Sequence, residues 1–180
     1  MRIFAGADPG SLTSRGDIPE PAVVGRLVGG LANGPLHRWD TVNTLEVRIE
    51  GRAPESLPMS AVLAGGNAVA VETVMGWEVI QFRTAEFVGA EVWKLSGLLR
   101  GQQGTEMAMK AGAEAGAIAV FLDAGLVRVS SPPAERGLPL IWRPAALGPA
   151  RSSSRQQVFM SGLGARCICA PPPTPGVAST

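Results

Sequence analysis

Six groups of residues in this chain have the types and spacing to do chemistry. His37 is the only histidine, and Asp40, three residues on, would orient its ring as a general base. Such a base needs a nucleophile. No Gly-x-Ser-x-Gly elbow occurs, and neither cysteine sits in a catalytic motif, so Gly34-Pro35-Leu36-His37-Arg38-Trp39-Asp40 reads as a polar turn leading into a strand. Glu78, Glu86 and Glu91 would supply the two carboxylates of glycoside hydrolysis, which flank one bond about 5–10 Å apart. Glu78 alternates with apolar neighbours, which predicts a solvent-facing side chain, and no density of acids surrounds the three. The Gly101-Gln102-Gln103-Gly104 loop resembles two phosphate-binding devices. A P-loop requires a lysine after its last glycine, where this chain has Thr105. A nucleic-acid-clamping Gly-x-x-Gly loop joins two helices, whereas a strand precedes this one. The loop reads as a glycine-enabled turn from strand to helix, with Arg100 available to pair with a carboxylate. Cys167-Ile168-Cys169 lacks the second ligand pair of a zinc site and predicts two exposed thiols. Arg15-Gly16-Asp17 spells an adhesion tripeptide, which recurs by chance. Trp39, Trp77, Trp93 and Trp142 would make a sugar platform, but three fall within or beside predicted strands, where packing is the commoner use. The residues therefore predict no enzyme, no metal and no cofactor.

Composition narrows the elements that hold these residues. A chain of 180 residues with 46% apolar side chains makes one compact unit with a core, since a globule of this size buries roughly 70% of its unfolded surface. Charged residues are 17%, with 16 basic against 15 acidic, a balance that argues against holding nucleic acid by phosphate neutralisation. No apolar stretch reaches the roughly 20 residues that a spanning helix needs, so no membrane insertion is expected. The first residues reach Asp8 and Pro9 before a signal-peptide core develops. With 23 glycines and 15 prolines the chain must turn often.

The hydrophobic period is mostly two. Leu45-Glu46-Val47-Arg48-Ile49 predicts a half-buried strand. Ala68–Thr73 and Trp77–Phe82 are β-branched or aromatic runs joined by three residues, which predicts an antiparallel hairpin. Val92–Ser96, Leu126–Val129 and Leu138–Trp142 alternate likewise, with Pro139 confining the last to an edge or a strand start. Thr105 is placed to cap a short helix that begins at Glu106, and Gly112 and Gly116 keep it short. The apolar run Ala117–Leu122 predicts a buried strand. The expected fold is mainly β: an antiparallel sandwich or partial barrel with one short helix after residue 104. Residues 151–180 hold three basic and no acidic side chains, with a serine run and a proline run, which predicts a poorly ordered tail. The expected boundaries are an N-terminal extension at 1–19, a β-rich domain at 20–150 and the tail at 151–180.

Four stretches in order carry a family resemblance. They are Trp39–Val47, Val62–Ala68, Trp77–Glu86, and Trp93 with Leu95–Glu106. Together they are similar to the C-terminal fibre-binding region of the large megatron-like baseplate protein of gene transfer agents and related tailed phages, over about residues 20–145. The matching features are a Trp-Asp motif before a strand (Trp39, Asp40), a glycine-asparagine turn (Asn67), a Trp-Glu strand ending in Gln-Phe (Trp77, Gln81, Phe82), and a Leu-Leu-Arg-Gly loop closing on Gly-Thr (Leu99, Arg100, Gly101, Gly104, Thr105). The resemblance implies a structural or interface role for these residues. It implies a virion component that docks a tail fibre or a neighbouring hub protein, in the tail of a phage-like particle assembled in the bacterial cytoplasm. The attachment module is expected without the wall-degrading enzyme of the longer relatives, and a hydrolase of cell-wall polymer is the competing function. Beyond residue 150 the match ends, and the abrupt change of composition suggests a frameshifted or truncated reading frame. The turns at Gly65-Gly66-Asn67 and Gly101–Gly104 are the candidate docking surfaces.

Overall fold

The computed structural model of the chain describes residues 1–20, 22–123, 126, 129, 132–135 and 137–145, and the backbone of Gln157–Met160. The chain divides into two units, Met1–Pro21 with Ala124–Thr180, and Ala22–Asp123. The first begins with two short strands, β1 (Arg2–Gly6) and β2 (Thr13–Asp17), paired antiparallel. Residues 1–19, expected as an extension, thus carry regular structure. Ile3 and Ala5 alternate into the buried face of β1, as the period of a half-covered strand requires.

The second unit holds β3 (Val24–Leu27), β4 (Leu45–Ile49), α1 (Met59–Leu63), β5 (Ala68–Thr73), β6 (Gly76–Gly89), β7 (Val92–Gln102), α2 (Glu106–Ala111) and β8 (Ile118–Phe121). Its strands close a six-stranded antiparallel barrel in the order β3-β4-β7-β6-β5-β8. Sequence periodicity leaves sandwich and partial barrel open; the structure closes the barrel because β8 pairs with β3 on one side and β5 on the other. Closure leaves no unpaired edge. The core follows the period-two pattern: Leu45, Val47 and Ile49 point inward with Val69, Val71, Ile80, Phe82, Leu95 and Leu98, while Glu46 and Arg48 face out. Each such aliphatic side chain contributes about 1.5–3 kcal/mol by leaving water. Phe82 and Phe121 meet edge to face at 6.1 Å.

The chain then returns to the first unit through β9 (Pro139–Ala145) and β10 (Gln157–Met160), giving a four-stranded sheet ordered β10-β9-β1-β2. Pro139 stands at the first residue of β9, where a missing N–H is tolerated. Of the strand expected over Leu126–Val129, only Leu126 and Val129 are described and neither is in a strand; the tail expected over 151–180, apart from β10, lies outside the described residues, as do Cys167 and Cys169.

Candidate functional site

Arg100 is the largest fully buried side chain, and the motif residues converge on it. Between β6 and β7 the register passes from Val79 opposite Gln102 to Gln81 opposite Leu99. One extra residue therefore sits in β7 at Arg100-Gly101, a β-bulge of the kind that re-aims a side chain. Gly101 makes the bulge possible. It has φ +59°, and a Cβ there would lie 3.2 Å from the Glu106 Cα. The bulge turns Arg100 inward, where its Nε donates to Glu78 Oε1 at 2.7 Å and its Nη2 to Glu78 Oε2 at 3.0 Å. The Gly101 amide adds a third bond to Glu78, at 3.1 Å. Arg100 Nη1 donates to Asp40 Oδ2 at 3.3 Å and Nη2 to the Ala32 carbonyl at 2.9 Å. A bidentate guanidinium fork is the geometry that makes such a pair strong.

Glu78 is completely buried, which corrects the solvent-facing reading. In β6 Glu78 shares the inward face with Ile80 and Phe82, opposite Val71 of β5, and there it meets Arg100 and the Gly101 amide. Asp40 is also held. Its Oδ1 accepts from the amides of Val42 and Asn43 at 3.1 and 3.0 Å, and its Oδ2 accepts from Asn43 Nδ2 at 2.7 Å. Burial pushes the Asp40 carboxyl up, but the bonds from Asn43 and Val42 and the nearby Arg100 charge outweigh it, so its pKa lies below the ordinary value.

The remaining motif residues work as internal ties. Thr105 was the expected helix cap, yet its hydroxyl makes no capping bond. Instead it accepts from the Val79 amide at 2.9 Å and donates to the Gln102 carbonyl at 2.7 Å, so β6 claims the oxygen the helix would have used. Gln81 Nε2 donates to the carbonyls of Val62 and Gly66, fixing α1 and the turn after it. Asn67, at φ +50°, donates from Nδ2 to the Glu55 carbonyl at 2.7 Å, and its own carbonyl accepts from the Phe82 amide. Phe82 and Leu99 are buried. Trp39 and Trp77 are half-buried, and the Arg83 guanidinium lies 5.7 Å from the Trp39 ring centre. Of the expected docking turns, Gly66 and Asn67 are thus occupied internally, while Gln103 and Gly104 remain exposed.

The other candidates do not assemble. His37 is exposed at φ +58°, and Asp40 bonds to Arg100 and Asn43, so no base with an orienting carboxylate forms. Glu86 and Glu91 are exposed while Glu78 is committed to Arg100, so the three acids share no cleft. In the first unit, Arg15 bonds to Glu135 and Asp17 to Arg2, which ties both charges of the adhesion tripeptide within the fold. Among the described residues no group of three or more His, Cys, Asp or Glu stands together for a metal, and no helix is long and apolar enough to cross a membrane.

A feature that sequence reading missed lies at the hairpin of β6 and β7. β7 stays paired with β4 as far as Arg48↔Val92, and the Ile49 amide donates to the Glu91 carbonyl of the turn, whereas β6 runs on to Gly89 beyond the end of its pairing with β5 at Ala68↔Gln81. At the tip, Phe87 is 58% and Val88 49% exposed, and the Phe87 ring tilts against Trp93 at 5.3 Å between centres. The two residues of the turn, Ala90 and Glu91, both have positive φ. The signal for this was present in Phe87-Val88 ahead of Gly89, an apolar pair next to a turn residue. A shallow groove of about 590 Å³ lies elsewhere, lined by residues including Leu31, Glu72, Lys110 and Glu114.

A search of curated proteins finds no match to this chain. The family described as "Rcc01698-like, C-terminal" matches residues 22–120, nearly the whole barrel unit and more than half of the chain. With its motif residues placed as the internal ties of that barrel, the chain belongs to the Rcc01698-like C-terminal family.

Proposed function

We propose that the barrel is a structural attachment module in the tail baseplate of a gene-transfer-agent or phage-like particle. There it docks a tail fibre or a neighbouring hub protein, and makes or breaks no bond. The reading rests first on the four-motif resemblance and on the family match over the barrel. The observation that carries it is the tip of the β6–β7 hairpin, where β6 runs beyond β5 and holds Phe87 and Val88 in water. Exposed aromatic and aliphatic side chains on a rigid hairpin fit the centre of a protein interface, where apolar anchors are buried within a polar rim. A standard interface of this kind covers about 1,600 Å² in total. The acids that a wall hydrolase would use support the same reading, since Glu78 is neutralised by Arg100 and the other two face solvent separately.

The test is co-purification of the immobilised full chain with purified tail proteins encoded beside it. Retention of one of them by the folded chain is the expected result. Failure to retain any, with the β-sheet signal intact by circular dichroism, would remove the attachment role. Release of sugar fragments from cell-wall polymer by the pure chain would replace it with the hydrolase.

A further inference from the structure

Residues 28–44 form a long connection between β3 and β4 that lies against β7, α2 and the loop after α2. A connection of this length without a strand or helix of its own is unusual in a compact domain. It buries only one large apolar side chain, Leu31; Val28 and Val42 are exposed. Its attachment is polar. Leu31 and Ala113 exchange amide-to-carbonyl bonds of 2.8 and 2.9 Å, and Asp40 and Leu98 exchange bonds of 2.8 and 3.0 Å. The Gly34 amide donates to Met109 Sδ, and Arg100 holds the Ala32 carbonyl and Asp40. Gly34 must be glycine here, because a Cβ would lie 2.6 Å from Asp40 Oδ2 and 2.8 Å from Arg100 Nη1.

The charges of this cluster divide unequally between the cap and the barrel. Closed, it sets one guanidinium against two carboxylates. Asp40 belongs to the connection, whereas Arg100 and Glu78 belong to adjacent barrel strands and are joined by two bonds of their own. If the connection lifts away, Asp40 carries its charge into water and leaves behind a neutral, bidentate Arg100–Glu78 pair still bonded to the Gly101 amide. No unpaired charge is stranded in the barrel, which is the outcome that makes breaking most buried ion clusters so unfavourable. We infer that residues 28–44 are a cap that opens as a unit while the barrel stays closed, with the Asp40–Arg100 contact as its clasp. Segments that open below the global unfolding limit have few buried apolar contacts, as this one does.

Native-state hydrogen exchange on the full chain tests this at neutral pH. The expected result is that the amides of Leu31, Asp40, Leu98 and Ala113 exchange through one common opening. That opening should be at least tenfold more frequent than the one exposing Leu27 and Phe121, and less dependent on denaturant. Asp40→Asn should speed exchange of the first group at least a further tenfold and leave the second within twofold. Equal rates and equal denaturant dependence for both groups in the unaltered chain would overturn the cap. So would an Asp40→Asn chain whose barrel amides accelerate together with the cap amides, or that fails to fold.

Discussion

Arg100 and Glu78 are each fully buried, and their value to the fold is conditional on both being present. Arg100→Ala leaves Glu78 charged in a dry site, so a loss of about 3–5 kcal/mol is expected in denaturant unfolding. Replacing the pair together, Arg100→Met with Glu78→Leu, should restore much of that loss, since apolar groups of similar volume substitute well for a buried pair. A double variant as unstable as Arg100→Ala alone would contradict the assignment. Asp40 gives the cluster a pH signature. Its folded pKa is below the ordinary value of 3.8, so its contribution is present above that pH and is lost as pH falls through the lowered folded value. Stability of the unaltered chain should therefore fall more steeply below about pH 4 than that of Asp40→Asn, with no difference in slope between pH 5 and 8. Parallel acid curves would dismiss the role. At this scale the sequence was legible for Arg100, which stands directly before the Gly101–Gly104 turn and reads as available to pair with a carboxylate. It was illegible for Glu78, because Trp77-Glu78-Val79-Ile80-Gln81-Phe82 is apolar at both parities, and the barrel takes Ile80 and Phe82, with Glu78, as its inward face.

Strands were easier to read than their limits. Leu45–Ile49, the 68–82 hairpin and Ala117–Leu122 all correspond to strands of the barrel, since apolar alternation directly encodes a covered face. The extension of β6 to Gly89 and of β7 to Gln102 was not read. Beyond the core, Arg83, Thr84 and Glu86 are exposed and show no pattern of burial; the ribbon there is held by cross-strand bonding instead. The connection at 28–44 was equally opaque, because single polar contacts fix it. The ribbon's turn makes its own prediction. A two-residue hairpin turn with positive φ at both positions favours Asn-Gly, yet Ala90 and Glu91 occupy it at φ +51° and +61°. The left-handed region costs an ordinary side chain about 1 kcal/mol or more. Ala90→Asn with Glu91→Gly should therefore raise stability by about 1 kcal/mol in thermal or denaturant unfolding, and a loss of stability would show that the turn has another geometry.

For the whole molecule, barrel closure depends on β8 finding both β3 and β5, contacts far apart in sequence that no local pattern announces. The family motifs fix other internal ties of the barrel: a bulge at Arg100-Gly101, a tie at Thr105, a turn at Asn67 and a buried charge at Asp40. On the proposed attachment role, the partner docks at the hairpin tip, where Phe87 and Val88 are exposed, rather than on the motif loops. The most direct test places a photo-crosslinking amino acid at Phe87, and separately at Gln103 in the exposed motif loop, in the full chain within assembling particles. An adduct with a tail protein from position 87 and none from 103 is the expected result. An adduct from 103 alone, or none from 87 in particles that contain the chain, would contradict it.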